Sequence, residues 1–239
     1  MVNSGDLYQL SEELDWQVCR VPRIPNFKPV KKRSFRLSWG SSSGINLKLQ
    51  SGNIYGLRGK NGAGKSVLLK LICGIDTPTE GEIRIDGQVL GKDISFPKSV
   101  GALIESPSLI ENQTAMGNLK SLGAIKKIAT QEQMESLLQY FGLDPKDKKR
   151  VKKYSLGMRQ KLGIIMALFE NPELIILDEP LNALDEQSNQ LLLELVKKYR
   201  ADGSLIIVAS HDREELDYLS DVVLELKDGK IRAGQTNES

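Results

Sequence analysis

The stretch from Gly59 to Ser66, Gly-Lys-Asn-Gly-Ala-Gly-Lys-Ser, limits what this chain can fold into more sharply than any other part of it. Gly59, Gly64, Lys65 and Ser66 meet the phosphate-loop pattern G-x-x-x-x-G-K-[ST], with Lys60, Asn61, Gly62 and Ala63 inside it and Val67 directly after it. The context agrees with the letters. Asn53 to Leu57 reads as a short strand, and Leu68, Leu69, Leu71 and Ile72 give the following run a helical character. A loop so placed wraps a phosphate in its backbone N–H groups at the positive end of the helix. Lys65 then reaches the β- and γ-phosphates, and the Ser66 hydroxyl takes a position on Mg²⁺. A glycine-rich turn without a ligand is the competing reading, and the strand before it and helix after it count against that.

At 239 residues the chain has room for one large domain or two small ones, with a well-buried core. Its 33 Lys and Arg nearly cancel 31 Asp and Glu, so overall charge gives no argument for a nucleic-acid partner and none is expected. Cys19 and Cys73 lack any metal or redox spacing, and Cys73 is expected to be a buried thiol in a reducing compartment. The longest apolar runs, Leu162 to Phe169 and Leu205 to Ala209, are too short to span a bilayer. The polar N-terminus carries no signal-peptide core, and the expectation is a soluble intracellular protein.

Along the chain, Pro22, Pro25 and Pro29 favour an extended N-terminal arm. The basic residues Lys28, Lys31, Lys32, Arg33 and Arg36 read as a solvated face, with anionic lipid heads as the alternative partner. Phe35 to Trp39 and Ile45 to Leu49 are alternating strands around a loop at residues 40–44. Glu82 to Ile85 and Gln88 to Leu90 form a hairpin through Asp86-Gly87. A helical character then takes over. Thr130 and Gln133 form a capping box, Met134, Leu137, Leu138 and Phe141 make one stripe, and Gly142 stops that helix.

Lys146 to Lys153 is a solvated basic run, after which Tyr154 to Gln160 opens a helix. Its expected core face is Met158, Leu162, Ile165, Met166 and Phe169, ending at Asn171-Pro172. Leu174 to Leu177 is an uninterrupted apolar run that delivers Asp178 and Glu179 at its C-terminal end, as a buried parallel strand would. A helix follows with Leu191, Leu195 and Tyr199 on one face. Ser204 to Ser210 is a second buried strand, ending at His211, the single histidine of the chain. Asp212 and Glu215 are expected to cap a short helix, and residues 222–231 to fold back as a hairpin through Asp228-Gly229. Alternating strands and helices make this an α/β fold with a mainly parallel sheet.

In this order, the motifs resemble the ATP-binding cassette of ABC transporters over residues 33–235, with residues 1–32 as an arm and residues 236–239 as a tail. The resemblance implies a P-loop NTPase with a RecA-like parallel core, an antiparallel β subdomain and an α-helical insert at about residues 105–170. It implies that Asp178 holds Mg²⁺ through a water, that Glu179 is the general base and that His211 is the switch histidine contacting the γ-phosphate. Asp185 matches the acidic residue of the loop that communicates across a dimer. Ser155, Leu156, Gly157 and Met158 match the signature segment, a helix N-terminus that closes on ATP held by a second cassette. Trp39 matches the aromatic that stacks on adenine, with Phe35 as the rival and a core aromatic as a further alternative.

Two departures from the general pattern are informative. Glu105 stands where most cassettes have glutamine, and Tyr-Ser-Leu-Gly-Met stands at residues 154–158 in place of Leu-Ser-Gly-Gly-Gln. Both resemble the bacitracin- and lantibiotic-type exporters and immunity transporters. A glutamate at position 105 keeps an acceptor oxygen for metal or water, loses the amide donor and adds charge. The implied function is an ATPase that powers a separate integral-membrane subunit, peripheral at the inner face of the cell membrane, in a homodimer or paired-cassette state with ATP and Mg²⁺. A soluble regulatory or translation-associated cassette protein is the alternative. The presence of one phosphate loop and no second copy counts against it.

Overall fold

The computed structural model describes residues 34–39, 45–227 and 229–236. The expected arm at residues 1–32, the loop at residues 40–44, Asp228 of the last turn and residues 237–239 lie outside them. In chain order the described residues form β1 (Ser34–Trp39), β2 (Ile45–Gln50), β3 (Ile54–Arg58), α1 (Lys65–Cys73), β4 (Glu82–Ile85), β5 (Gln88–Val89) and β6 (Val100–Leu103). Then come α2 (Ala115–Lys126), α3 (Gln131–Tyr140), α4 (Leu156–Leu168), β7 (Leu174–Asp178) and α5 (Glu186–Ala201). The chain closes with β8 (Leu205–Ser210), α6 (Arg213–Leu219), β9 (Val222–Lys227) and β10 (Lys230–Thr236).

Two sheets result. The smaller is antiparallel in the order β2-β1-β4-β5. The larger runs β10-β9-β3-β8-β7-β6, and every neighbouring pair in it is parallel except β10 with β9. This is the α/β architecture expected from the alternation of strands and helices.

The strands β7 and β8 show why an unbroken apolar run reads as a central strand. Successive side chains leave a strand on opposite faces. Ile175 and Leu177 enter the core under α3, α4 and α5, while Leu174 and Ile176 enter the one shared with α1 and β4. Ile206 and Val208 likewise go to the first, and Leu205, Ile207 and Ala209 to the second. Both faces are covered, so residues 174–177 and 205–209 are apolar throughout, and the first polar residues, Asp178 and Ser210, come at the C-terminal ends of the strands.

Between β6 and β7 lies the helical stretch. Thr130 Oγ1 accepts from the Gln133 N–H at 3.2 Å and Gln133 Oε1 accepts from the Thr130 N–H at 2.8 Å, the reciprocal box read from the sequence. Met134, Leu137, Leu138 and Phe141 are buried as a stripe, and Gly142 takes a left-handed φ of 71° just past the helix end. The basic run around Lys148, Lys149 and Lys152 is exposed, as expected.

Two helical faces differ from expectation. α4 starts at Leu156 with Ser155 as its cap, two residues after Tyr154. Met158 and Met166 are only half-buried, whereas Leu162, Ile164, Ile165 and Leu168 are fully buried. α4 packs on β6 and β7 and also against α2 and α3, so it buries more than one stripe and a single-face periodicity misplaces its core. On α5, Leu191 is half-buried, and Leu192, Leu195, Val196 and Tyr199 form the buried face. The Tyr199 hydroxyl is satisfied there by donating to Leu168 O at 2.7 Å. Cys73 is buried as expected, and burial pushes its thiol up to about 12.

Candidate functional site

The C-terminal ends of β3, β6, β7 and β8 open on one side of the sheet, where an open parallel α/β fold places its ligands. From Arg58 the chain turns through Gly59 to Gly64 into α1. Gly62 and Gly64 adopt φ of 80° and 97°, a left-handed backbone that a Cβ would strain. Among the described residues no side chain caps α1 at Gly64, which leaves the first backbone N–H groups of the helix available to an anion. A cavity of about 420 Å³ is lined by Lys60, Asn61, Gly62, Gly64, Lys65, Ser66 and Val67 from this turn. Glu105, Asp178 and Glu179 wall it from the neighbouring strand ends.

Lys65 is 6% exposed, and its ammonium does not stand alone. Nζ donates to Gly59 O at 2.7 Å and lies 3.6 Å from Glu179 Oε1. Ser66 Oγ donates to Asp178 Oδ2 at 2.7 Å, and the buried Asp178 also receives the Glu105 N–H at 3.4 Å. A hydroxyl and a carboxylate oxygen held this close beside a cavity form a hard-oxygen pair, the donor set that Mg²⁺ takes along with phosphate oxygens and waters. The residues therefore fit that ion.

Glu179 leaves the sheet with φ of 48°, unusual for a residue with a side chain. Its N–H donates to Ala209 O at 2.8 Å, which pins the turn to the end of β8. The carboxylate then sits between two cations or potential cations. Oε1 faces Lys65 Nζ, and Oε2 is 2.8 Å from His211 Nδ1. His211 follows β8 directly, and its side chain remains 57% exposed, free to meet a ligand from the solvent side.

Behind His211 lies a residue that sequence reasoning misassigned. Asp212 caps α6, its Oδ1 accepting from the Glu214 and Glu215 N–H groups at 2.8 and 3.2 Å. The Glu215 side chain does not cap the helix. Its Oε2 accepts from Ser210 Oγ at 2.9 Å, Ser210 Oγ accepts from the Asp212 N–H at 3.0 Å, and the buried Oε1 has no hydrogen-bond partner among the described residues. Burial, helped by the Glu179 and Asp212 charges, pushes the Glu215 carboxyl above the usual range. The network fixes the residues on both sides of His211. Spacing within α6 suggests a cap, and only the position of Ser210 draws this carboxylate inward.

Glu105 lines the cavity through an unusual backbone, with φ of 61°. Its Oε1 accepts from Lys70 Nζ at 2.6 Å. That bond is the main reason the Lys70 ammonium is held above its ordinary pKa. Lys70 was not singled out by sequence reasoning, because its partner comes from another strand end.

The signature residues are placed elsewhere. Ser155 caps α4, its Oγ accepting from the Met158 N–H at 3.2 Å. Leu156 is 72% exposed, and none of Ser155, Leu156, Gly157 and Met158 lines the cavity formed by the phosphate loop. Asp185 caps α5. Hydrogen bonds from Ser188 N–H and Oγ, then from Lys161 Nζ at 3.0 Å, hold its carboxyl well below the usual carboxylate range. Trp39 ends β1 opposite Ile45 in the small sheet, and the surroundings of its side chain, like those of Phe35, lie outside the described residues.

A family model described as ABC transporter matches residues 42–182. YybJ, an uncharacterized ABC transporter ATP-binding protein of Bacillus subtilis strain 168, is 41% identical over 191 residues, which is 80% of this chain and 88% of that one. The lantibiotic transport ATP-binding protein SrtF of Streptococcus pyogenes is 34% identical over 206 residues, 84% of this chain and 88% of that one. The bacitracin transport ATP-binding protein BcrA of Enterococcus faecalis is 35% identical over 189 residues, 78% of this chain and 61% of its own length. A solved structure of the ATP-binding subunit of an ABC transporter superposes with a TM-score of 0.76 at 27% identity, covering 87% of this chain and 91% of that one. The family match runs from before the phosphate loop to beyond Glu179, through the strand ends that wall the cavity. The chain therefore belongs to the ABC transporter family as an ATP-binding subunit, one of its ATPases.

Proposed function

We propose that this chain uses ATP hydrolysis to power a separate integral-membrane subunit, and that the transported molecule is a peptide antibiotic or a similarly hydrophobic compound. One observation carries the motor reading. Lys65, Ser66, Asp178 and Glu179 converge on one cavity, while the capped end of α4 at Ser155 is exposed away from it. Such a site is completed by a second cassette, whose Ser155 end closes over this chain's nucleotide. The 72% exposure of Leu156 supports a contact made only in that pair.

In the proposed reaction Lys65 binds the β- and γ-phosphates, and the Glu179 carboxylate accepts hydrogen from the attacking water. His211, 2.8 Å from Glu179 Oε2, orients that carboxylate and contacts the γ-phosphate. Ser66 and Asp178 would hold Mg²⁺, which supplies charge neutralisation on the phosphate oxygens. Trp39 is proposed to stack on the adenine, and Asp185 to report across the cassette pair.

No helix among the described residues is long and apolar enough to cross a membrane, so the membrane-spanning part is assigned to another chain. An apolar cavity of about 300 Å³ beside Glu105, lined among others by Leu103, Ile104, Pro107, Leu122 and Met166, supports docking of that partner from the membrane side. Such docking places this chain at the cytoplasmic, inner face of the cell membrane. The peptide-antibiotic reading is supported by Glu105, by residues 154–158 and by the names of SrtF and BcrA. Purification of the tagged chain from membranes is expected to retain one integral-membrane protein, and cells lacking the chain are expected to become more sensitive to a lantibiotic or to bacitracin. Recovery without any membrane protein would remove the transport reading, and unchanged sensitivity to both would remove the peptide-antibiotic reading.

Glu105 is proposed to couple the nucleotide state to the partner, since Lys70 on α1 and the apolar cavity meet at it. Glu105→Gln removes the charge paired with Lys70 and is expected to lower transport-linked resistance more than the ATPase rate. Parallel assays in which neither quantity changes would leave the glutamate without a special role.

A further inference from the structure

We propose that Gln160 is a positioning residue for Glu179, tying the first turns of α4 to the turn that carries the general base. This rests on the reading of Glu179 given above. Gln160 is one of few buried polar side chains, 9% exposed on a helix whose other buried residues are apolar or glycine. Its Nε2 donates to Pro180 O at 3.1 Å and reaches Glu179 O at 3.4 Å. The amide thus spends its donors on the carbonyls of Pro180 and of Glu179, the residue whose carboxylate faces Lys65 and His211.

That backbone needs support. Glu179 has φ of 48° and Ala183, further along the same loop, has φ of 65°. Non-glycine residues persist in this region only where their surroundings over-determine them. The Glu179 N–H is held by Ala209 O at 2.8 Å, and its carbonyl receives the Asn182 N–H at 3.3 Å. Gln160 adds a side-chain hydrogen bond to that carbonyl from the helical stretch.

Two more contacts lie on the same face of α4. A Cβ on Gly157 would stand 2.8 Å from Ala183 O, so only glycine lets the helix approach the loop this closely. Lys161 Nζ meets Asp185 Oδ2 at 3.0 Å. Positions 157, 160 and 161 are spaced three and four apart, one face of a helix, and they meet the loop at residues 179–180, 183 and 185. The helix is a template for the loop. Its exposed Ser155 end and the carboxylate of Glu179 therefore move as one piece, which links closure on a partner's nucleotide to the placement of this chain's own base.

The test is a double-mutant cycle on the full chain with ATP and Mg²⁺. Gln160→Met keeps the side-chain volume and removes both donors. It is expected to lower kcat by about tenfold to a hundredfold, the scale of a small misplacement of a catalytic group, with nucleotide affinity unchanged. In the Glu179→Gln background the same change is expected to leave the residual single-turnover rate within about twofold, because its effect acts through the missing carboxylate. Equal losses in both backgrounds would mean a merely structural role and overturn the proposal. Wild-type kcat in Gln160→Met, with Glu179→Gln inactive, would overturn it alone. Wild-type kcat in Glu179→Gln would overturn the reading of Glu179 and this proposal together. Should Gln160→Met fail to fold, Gln160→Asn, which withdraws the amide by one methylene, takes its place with the same expectations.

Discussion

Glu179→Gln is expected to lower ATP hydrolysis by about 10²–10⁴-fold while leaving ATP bound, the range that a positioned general base contributes. The substitution is nearly isosteric and leaves the phosphate-binding atoms in place. Lys65 Nζ keeps its bond to Gly59 O at 2.7 Å, and Ser66 keeps Asp178. An amide oxygen still meets His211 Nδ1, so the histidine is not released. What disappears is the basicity and one negative charge 3.6 Å from Lys65, beside the site for the polyanion. Binding of ATP should hold or tighten as turnover stops. In size-exclusion chromatography with ATP and Mg²⁺ the variant should run as a two-cassette particle, and single-turnover measurements should show slow decay of bound ATP. Turnover near the wild-type rate would assign the proton to another group.

Gly101→Ala is expected to destabilise the fold by about 3 kcal/mol, the upper part of the range for overpacked sites. That corresponds to a fall in thermal midpoint of about 10 °C for a chain of this size. Gly101 lies in β6 opposite Ile175 of β7, and a Cβ built on it would stand 1.7 Å from Ala167 O and 2.8 Å from Pro172 Cγ. Neither neighbour is the movable end of a flexible side chain. The carbonyl belongs to the last turn of α4, so relief requires lifting that helix from the sheet. The same helix carries Gln160, and ATPase activity should fall along with stability. A calorimetric midpoint unchanged from wild type would show that α4 does not bear on β6 at this point.

Some of this was readable before any folding. The phosphate loop needs only its own glycines, a strand behind it and a helix ahead, all within residues 54–73. The Thr130–Gln133 box spans one helical turn, and the burial of β7 and β8 on both faces is written in their lack of any polar alternation. These are short-range consequences of residue type, so spacing suffices to find them. Glu215 marks the boundary. Its place in α6 is local and was readable, but the direction of its carboxylate is decided by Ser210 and by burial.

Resemblance supplied the expected chemistry of Asp178, Glu179 and His211, and the tertiary structure supplied their neighbours. Ser66 meets Asp178 across 112 positions of sequence, Lys70 meets Glu105 across 35, and His211 meets Glu179 across 32. The residue types alone determined that this chain has a phosphate loop and acidic strand ends in an α/β fold. Only packing decided that Lys70 takes the Glu105 carboxylate, that α4 is buried on several sides, and that Gln160 reaches the backbone of Glu179. Hydrogen bonds and close approaches act over a few ångströms in space, and no periodicity along the chain records which distant segments come that near.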